Sequence, residues 1–138
     1  MPFTSPQQNT FYFRKQFVYN GPVNGVVFGI THIIDDGAVF YINGQEFYRT
    51  NISVNTQVTY NTLASTVSGS GVLDGPIIVQ IPMLVVGTNT IAVEVHQSSS
   101  TSSDISFAMA LSSYNYTTNY FRMPVIINEV FAKNKSYT

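Results

Sequence analysis

Residues 33–49 read I-I-D-D-G-A-V-F-Y-I-N-G-Q-E-F-Y-R. Two turn signals, Asp35-Asp36-Gly37 and Asn43-Gly44, bracket a run of β-formers from 38 to 42, and Asn-Gly is the strongest short-range signal for a two-residue hairpin. The stretch therefore predicts two strands joined at Asn43-Gly44. It also gathers Asp35, Asp36 and Glu46, three of the seven acids in the chain.

On the N-terminal side, residues 11–19 alternate with period two, placing Phe11, Phe13, Phe17 and Tyr19 on one face with Lys15, and Tyr12, Arg14, Gln16 and Val18 on the other. Residues 26–34 repeat the pattern with Val26, Phe28, Ile30 and Ile34, interrupted by His32. On the C-terminal side, residues 51–66 are polar and weakly patterned, with Val58 and Tyr60 as candidate anchors, and a Ser-Gly-Ser-Gly loop follows. Residues 77–81 form a short apolar strand, and Gly87-Thr88-Asn89 is a turn. It feeds a strand over 90–97, with Ile91, Val93 and Val95 on one face and Ala92, Glu94 and His96 on the other. A Ser/Thr loop leads to Ile105, Phe107, Met109 and Leu111, again on one face, and residues 123–132 make a last apolar strand that needs a neighbour, either the sandwich itself or another subunit. No window carries helical periodicity with caps. About eight strands at regular spacing predict an all-β, antiparallel β-sandwich of jelly-roll type, with a polar arm over 1–10, the sandwich over 11–112, and a connector and terminal strand over 113–138.

Composition narrows the function classes. The chain has 138 residues, long enough for one domain with a core of its own, and ten Phe with nine Tyr favour a β-rich fold. Charged residues make up 9%, against about 25% in an ordinary soluble domain, so solubility rests on Ser, Thr, Asn and Gln. A net charge of -1 with no cluster of Lys and Arg gives no footprint for nucleic acid. The absence of cysteine removes disulfides and thiolate chemistry. The first residues have neither a basic nor an apolar signal region, and no apolar run reaches membrane-spanning length. Together these features predict an extracellular, cell-surface or virion setting.

Four segments taken in order carry a resemblance: Y-F-R-K-Q-F at 12–17, D-D-G-A-V-F-Y-I-N-G-Q-E-F-Y-R at 35–49, G-T-N-T-I-A-V-E-V-H-Q at 87–97, and S-S-D-I-S-F at 102–107. The series resembles a galactose-binding-like β-sandwich, an accessory module of large secreted bacterial proteins, and P-V-I-I-N-E-V-F-A-K-N at 124–134 resembles the opening of a lamin-tail domain. The resemblance implies a non-catalytic fold whose relatives often bind carbohydrate and often hold a structural calcium.

The candidate sites follow from residue chemistry. Asp35 and Asp36 can offer carboxylate oxygens to calcium; the competing reading is a turn in which Asp accepts backbone hydrogen bonds and Gly37 takes positive φ. Glu94 and His96 share a strand face, with Asp104 beyond the loop, and invite a metal or catalytic reading. Against it, His32 is the only other histidine, and Glu94 has candidate partners in Arg14 and Arg49, with His96 and Asp104 pinning the Ser/Thr loop. No serine sits in a nucleophile elbow and no two acids flank a cleft, so catalysis is not expected. Tyr41 and Tyr48, with Arg49, Glu94, His96 and Asp104, are the candidate ligand-binding set, and Tyr60, Tyr114, Tyr116 and Tyr120 are further sugar-stacking candidates. Trp is absent. Two functions emerge: a structural subunit of an extracellular assembly that pairs with its own copies through Val125, Ile127, Val130 and Phe131, or a module that binds a surface glycan.

Overall fold

The computed structural model describes residues 8–68, 71–102, 104–115, 125–127 and 132–133. Among these there is no helix. The strands are β1 (Thr10–Tyr19), β2 (Val26–Ile34), β3 (Gly37–Ile42), β4 (Gln45–Thr50), β5 (Leu73–Val79), β6 (Gly87–His96), β7 (Asp104–Ile105), β8 (Phe107–Asn115), β9 (Val125–Ile127) and β10 (Ala132–Lys133). They form two four-stranded antiparallel sheets, ordered β1-β6-β3-β4 and β5-β2-β8-β9, with β10 paired to β7 beside them. The architecture is an all-β sandwich.

Period-two alternation places the core where hydrophobic burial requires it. From the first sheet, Ala38, Phe40, Ile42, Ile91, Val93 and Val95 face inward; from the second, Phe28, Ile30, Ile34, Phe107, Met109 and Leu111 meet them. Phe13 of β1 stacks on Phe107 of β8 with ring centroids 4.4 Å apart, and His32 of β2 stacks on Phe40 of β3 at 5.8 Å. These contacts tie the sheets face to face.

The Asn43-Gly44 hairpin forms as expected, with φ of 51° and 81° at the two turn residues, the left-handed pair that a type I′ turn demands. Asn43 also accepts from the Thr90 amide at 2.9 Å through its side chain, which locks the hairpin tip to β6.

Asp35-Asp36 behaves differently from a hairpin turn. It carries the chain from β2 in one sheet to β3 in the other. Gly37 does not take positive φ; it lies within β3, where an added Cβ would come within 2.9 Å of the Ala64 Cβ. Its role is close packing beneath the segment 51–66.

Two strands start earlier than expected. β5 begins at Leu73 although Asp74-Gly75-Pro76 reads as a turn, because Gly75 at φ 114° lets the backbone pass where a Cβ would sit 2.3 Å from the Ile30 carbonyl. Gly87 opens β6 rather than preceding it. At the C-terminal end, Val125–Ile127 pairs with β8 of the same chain, Ile127 opposite Met109 and Val125 opposite Leu111. This part of the terminal strand thus pairs within its own chain; Val130 and Phe131 lie outside the described residues.

Candidate binding site

Cross-strand register builds the outer face of the first sheet. Tyr12 lies opposite Glu94, Glu94 opposite Val39, and Val39 opposite Arg49, so these four share the face turned away from the core. Tyr41, one row along, donates its phenol hydrogen to Glu94 Oε1. Burial first, and then this bond, push the Tyr41 phenol well above its ordinary value. Among the described residues neither Arg14 nor Arg49, the partners expected for Glu94, forms an ion pair with it, and the Arg49 charge acts on it only from longer range. Arg49 makes a bidentate pair with Glu46, Nε and Nη2 each 2.6 Å from a carboxylate oxygen, because the β-bulge between Phe40 and Tyr41 brings Glu46 beside it.

Residues 51–66 close one end of this face through their backbone. Arg49 Nη1 donates to the Ser53 and Thr56 carbonyls, Thr10 Oγ1 to the Tyr60 carbonyl at 2.6 Å, and the Ala64 amide donates to the Gln97 carbonyl. His96 Nδ1 lies 2.8 Å from the Thr62 carbonyl, which can only accept, so Nδ1 carries a proton and Nε2 faces Glu94 Oε2 at 3.6 Å. His96 and Val39 are fully buried. His96 therefore anchors the 51–66 cover, not the Ser/Thr loop. That loop is held by Gln97, whose Nε2 donates to the Asp104 carbonyl at 2.6 Å, and by Asp36.

Left in solvent on the same face are Tyr12, 62% exposed, and Tyr60, 47% exposed. Partial burial first, then the Glu94 carboxylate and the nearby Tyr60, raise the Tyr12 phenol above its ordinary value. Of the residues expected to bind, Tyr41, Arg49 and Glu94 come together here. Tyr48 does not: it turns inward, its ring 5.3 Å from Phe40 and 6.2 Å from His32. Tyr114 packs over Gly29, and Tyr116 and Tyr120 lie outside the described residues. Tyr12 was not among the expected site residues, although its place opposite Phe11 and Phe13 in the alternation already put it on the outer face.

The Asp36 carboxylate is engaged by the main chain. Asp36, 3% exposed, spends one carboxylate oxygen on the Ser68 amide and the other on the Ser98 amide, each at 2.7 Å. Calcium needs six to eight oxygens, and among the described residues no three acidic, histidine or cysteine side chains gather for a metal.

Between the β4 and β5 edges lies a cleft of about 180 Å³, lined by Asp36, Thr50, Asn51, Ser68 and Asp74, with His32 at its wall. His32 is 4% exposed, and neither ring nitrogen has a hydrogen-bond partner of good geometry among the described residues. Burial pushes the imidazole below its ordinary 6.5, opposed in part by the Asp74 carboxylate and by the residue's own backbone. The sign for stability follows: as pH falls through 6.5 the unfolded chain takes up this proton before the folded one, so the His32 contribution is full above 6.5 and is lost below it. Urea unfolding above and below pH 6.5 will give a drop in midpoint for the wild type that is smaller in His32→Phe.

Comparison of the chain with protein-family models, with curated proteins and with solved structures gives no match.

Proposed function

We propose that the chain is a non-catalytic module that binds a glycan on the outer face of its first sheet, in an extracellular or cell-surface setting. The observation that carries this is the pair of exposed tyrosines, Tyr12 and Tyr60, close to one another beside Glu94, which accepts the Tyr41 hydrogen bond. A sugar ring presents a C–H face to an aromatic and hydroxyls to fixed polar groups at its edge. The resemblance to galactose-binding-like, jelly-roll modules supports the same reading.

Glycan-array binding tests it. Tyr12→Ala and Tyr60→Ala are each expected to weaken retention roughly tenfold, the scale of a lost aromatic platform, while both melt as the wild type does, since exposed substitutions of this kind stay within about 0.5 kcal/mol. Silence of the wild type across glycans would overturn the proposal. A second reading, a structural subunit of an extracellular assembly, is supported by the apolar side chains Leu73 and Ile78 left exposed on the edge strand β5. Concentration-dependent self-association in sedimentation, together with glycan silence, would favour it.

A further inference from the structure

We propose that Asn24 is a site of spontaneous covalent modification: its side-chain amide is lost through a cyclic imide with Gly25, leaving aspartate or isoaspartate in the loop between β1 and β2. The chain holds three Asn-Gly steps, at 20–21, 24–25 and 43–44, which the sequence alone does not rank. Glycine has no Cβ to hinder attack by its amide nitrogen on the preceding side chain, so each step can close the imide. The fold separates them.

Asn43 is locked. Its Nδ2 donates to the Met83 carbonyl at 3.0 Å and to Asn89 Oδ1 at 2.9 Å, and its Oδ1 accepts the Thr90 amide at 2.9 Å. Bringing its Cγ onto the Gly44 nitrogen means breaking these bonds first. Asn20 is exposed and its side chain has no partner among the described residues, but the chain just beyond it is held. There the Tyr19 hydroxyl donates to the Pro22 carbonyl at 2.8 Å, and the Tyr19 ring crowds Gly21, where an added Cβ would meet the phenol oxygen at 2.5 Å. Asn24 has neither restraint. It is exposed, lies outside any strand and makes no hydrogen bond among the described residues, and nothing stands within 4 Å of the place a Cβ would take on Gly25.

The Gly25 nitrogen gives up its proton and bonds to Asn24 Cγ, the Cγ–Nδ2 bond breaks, and ammonia leaves with that proton. Water then opens the ring at one carbonyl or the other; nothing is oxidised or reduced. Asn24 shares the lining of a hollow of about 390 Å³ with Val26, Val27, Gln80, Ile81 and Leu84, and no charged residue lines it. The product places a carboxylate there and doubles the chain's formal net charge of -1.

The folded chain is held in mildly alkaline buffer, and the three steps are followed by peptide mapping with mass spectrometry. Asn24 is expected to lose its amide about tenfold or more faster than Asn43, because each hydrogen bond that must break holds the amide by a factor of several, with Asn20 between them. In urea the three rates are expected to converge. An acidic band in isoelectric focusing should grow on the Asn24 time course and be delayed in Asn24→Gln, which lengthens an exposed, unpartnered side chain and leaves the fold intact. The proposal is overturned if Asn24 keeps its amide, if Asn20 or Asn43 reacts as fast in the folded chain, if the same order persists in urea and so belongs to the sequence, or if Asn24→Gln acidifies as fast as the wild type.

Discussion

Asp36→Ala is expected to destabilise the fold by about 3 kcal/mol, read as a lower urea midpoint at unchanged slope. The carboxylate is buried and accepts the Ser68 and Ser98 amides, which belong to two loops far apart in sequence. Each is a charge-assisted bond, and truncation leaves two amides without their acceptor. Asp36→Asn keeps the shape but can offer only one acceptor oxygen, so it should fall between wild type and alanine. Equal stability of Asp36→Ala and the wild type would mean that the two loops hold themselves.

Phe40→Ala is expected to cost about 4 kcal/mol, within the range for emptying a buried aromatic. Phe40 is 0% exposed and its ring touches those of His32, Phe47 and Tyr48, so it joins the two sheets at the point where the core meets the β4–β5 cleft. Phe40→Leu retains most of the volume and should cost about 1 kcal/mol. A chain of 138 residues at about 0.1 kcal/mol per residue has roughly 14 kcal/mol in hand, so the alanine variant should fold and be measurable. A loss equal to that of the leucine variant would show that the surrounding rings collapse into the space.

What was legible in the sequence was whatever period two writes along a single strand. Phe11, Phe13 and Phe17, Ile91, Val93 and Val95, and Phe107, Met109 and Leu111 all face the core as their alternation predicts, and Asn43-Gly44 turns as its residue types demand. What was not legible depends on which strands become neighbours. Glu94 meets Tyr41 because β6 lies between β1 and β3, an order no local pattern encodes, and Arg49 meets Glu46 through a bulge that changes the register. The early start of β5 was hidden because Asp74-Gly75-Pro76 carries turn chemistry that the sheet overrides. His32 stood out only as a polar interruption of an apolar face.

The cover formed by residues 51–66 is gripped chiefly by its main chain: Arg49, Thr10 and His96 reach carbonyls of Ser53, Thr56, Tyr60 and Thr62, while side chains such as Val54 point into solvent. Main-chain atoms are common to every residue type. The cover can therefore exchange much of its outward lettering without loosening its hold, while the residues that grip it cannot change freely. One rigid sandwich could in this way present many different faces over evolutionary time, with Tyr60 as one present choice among them.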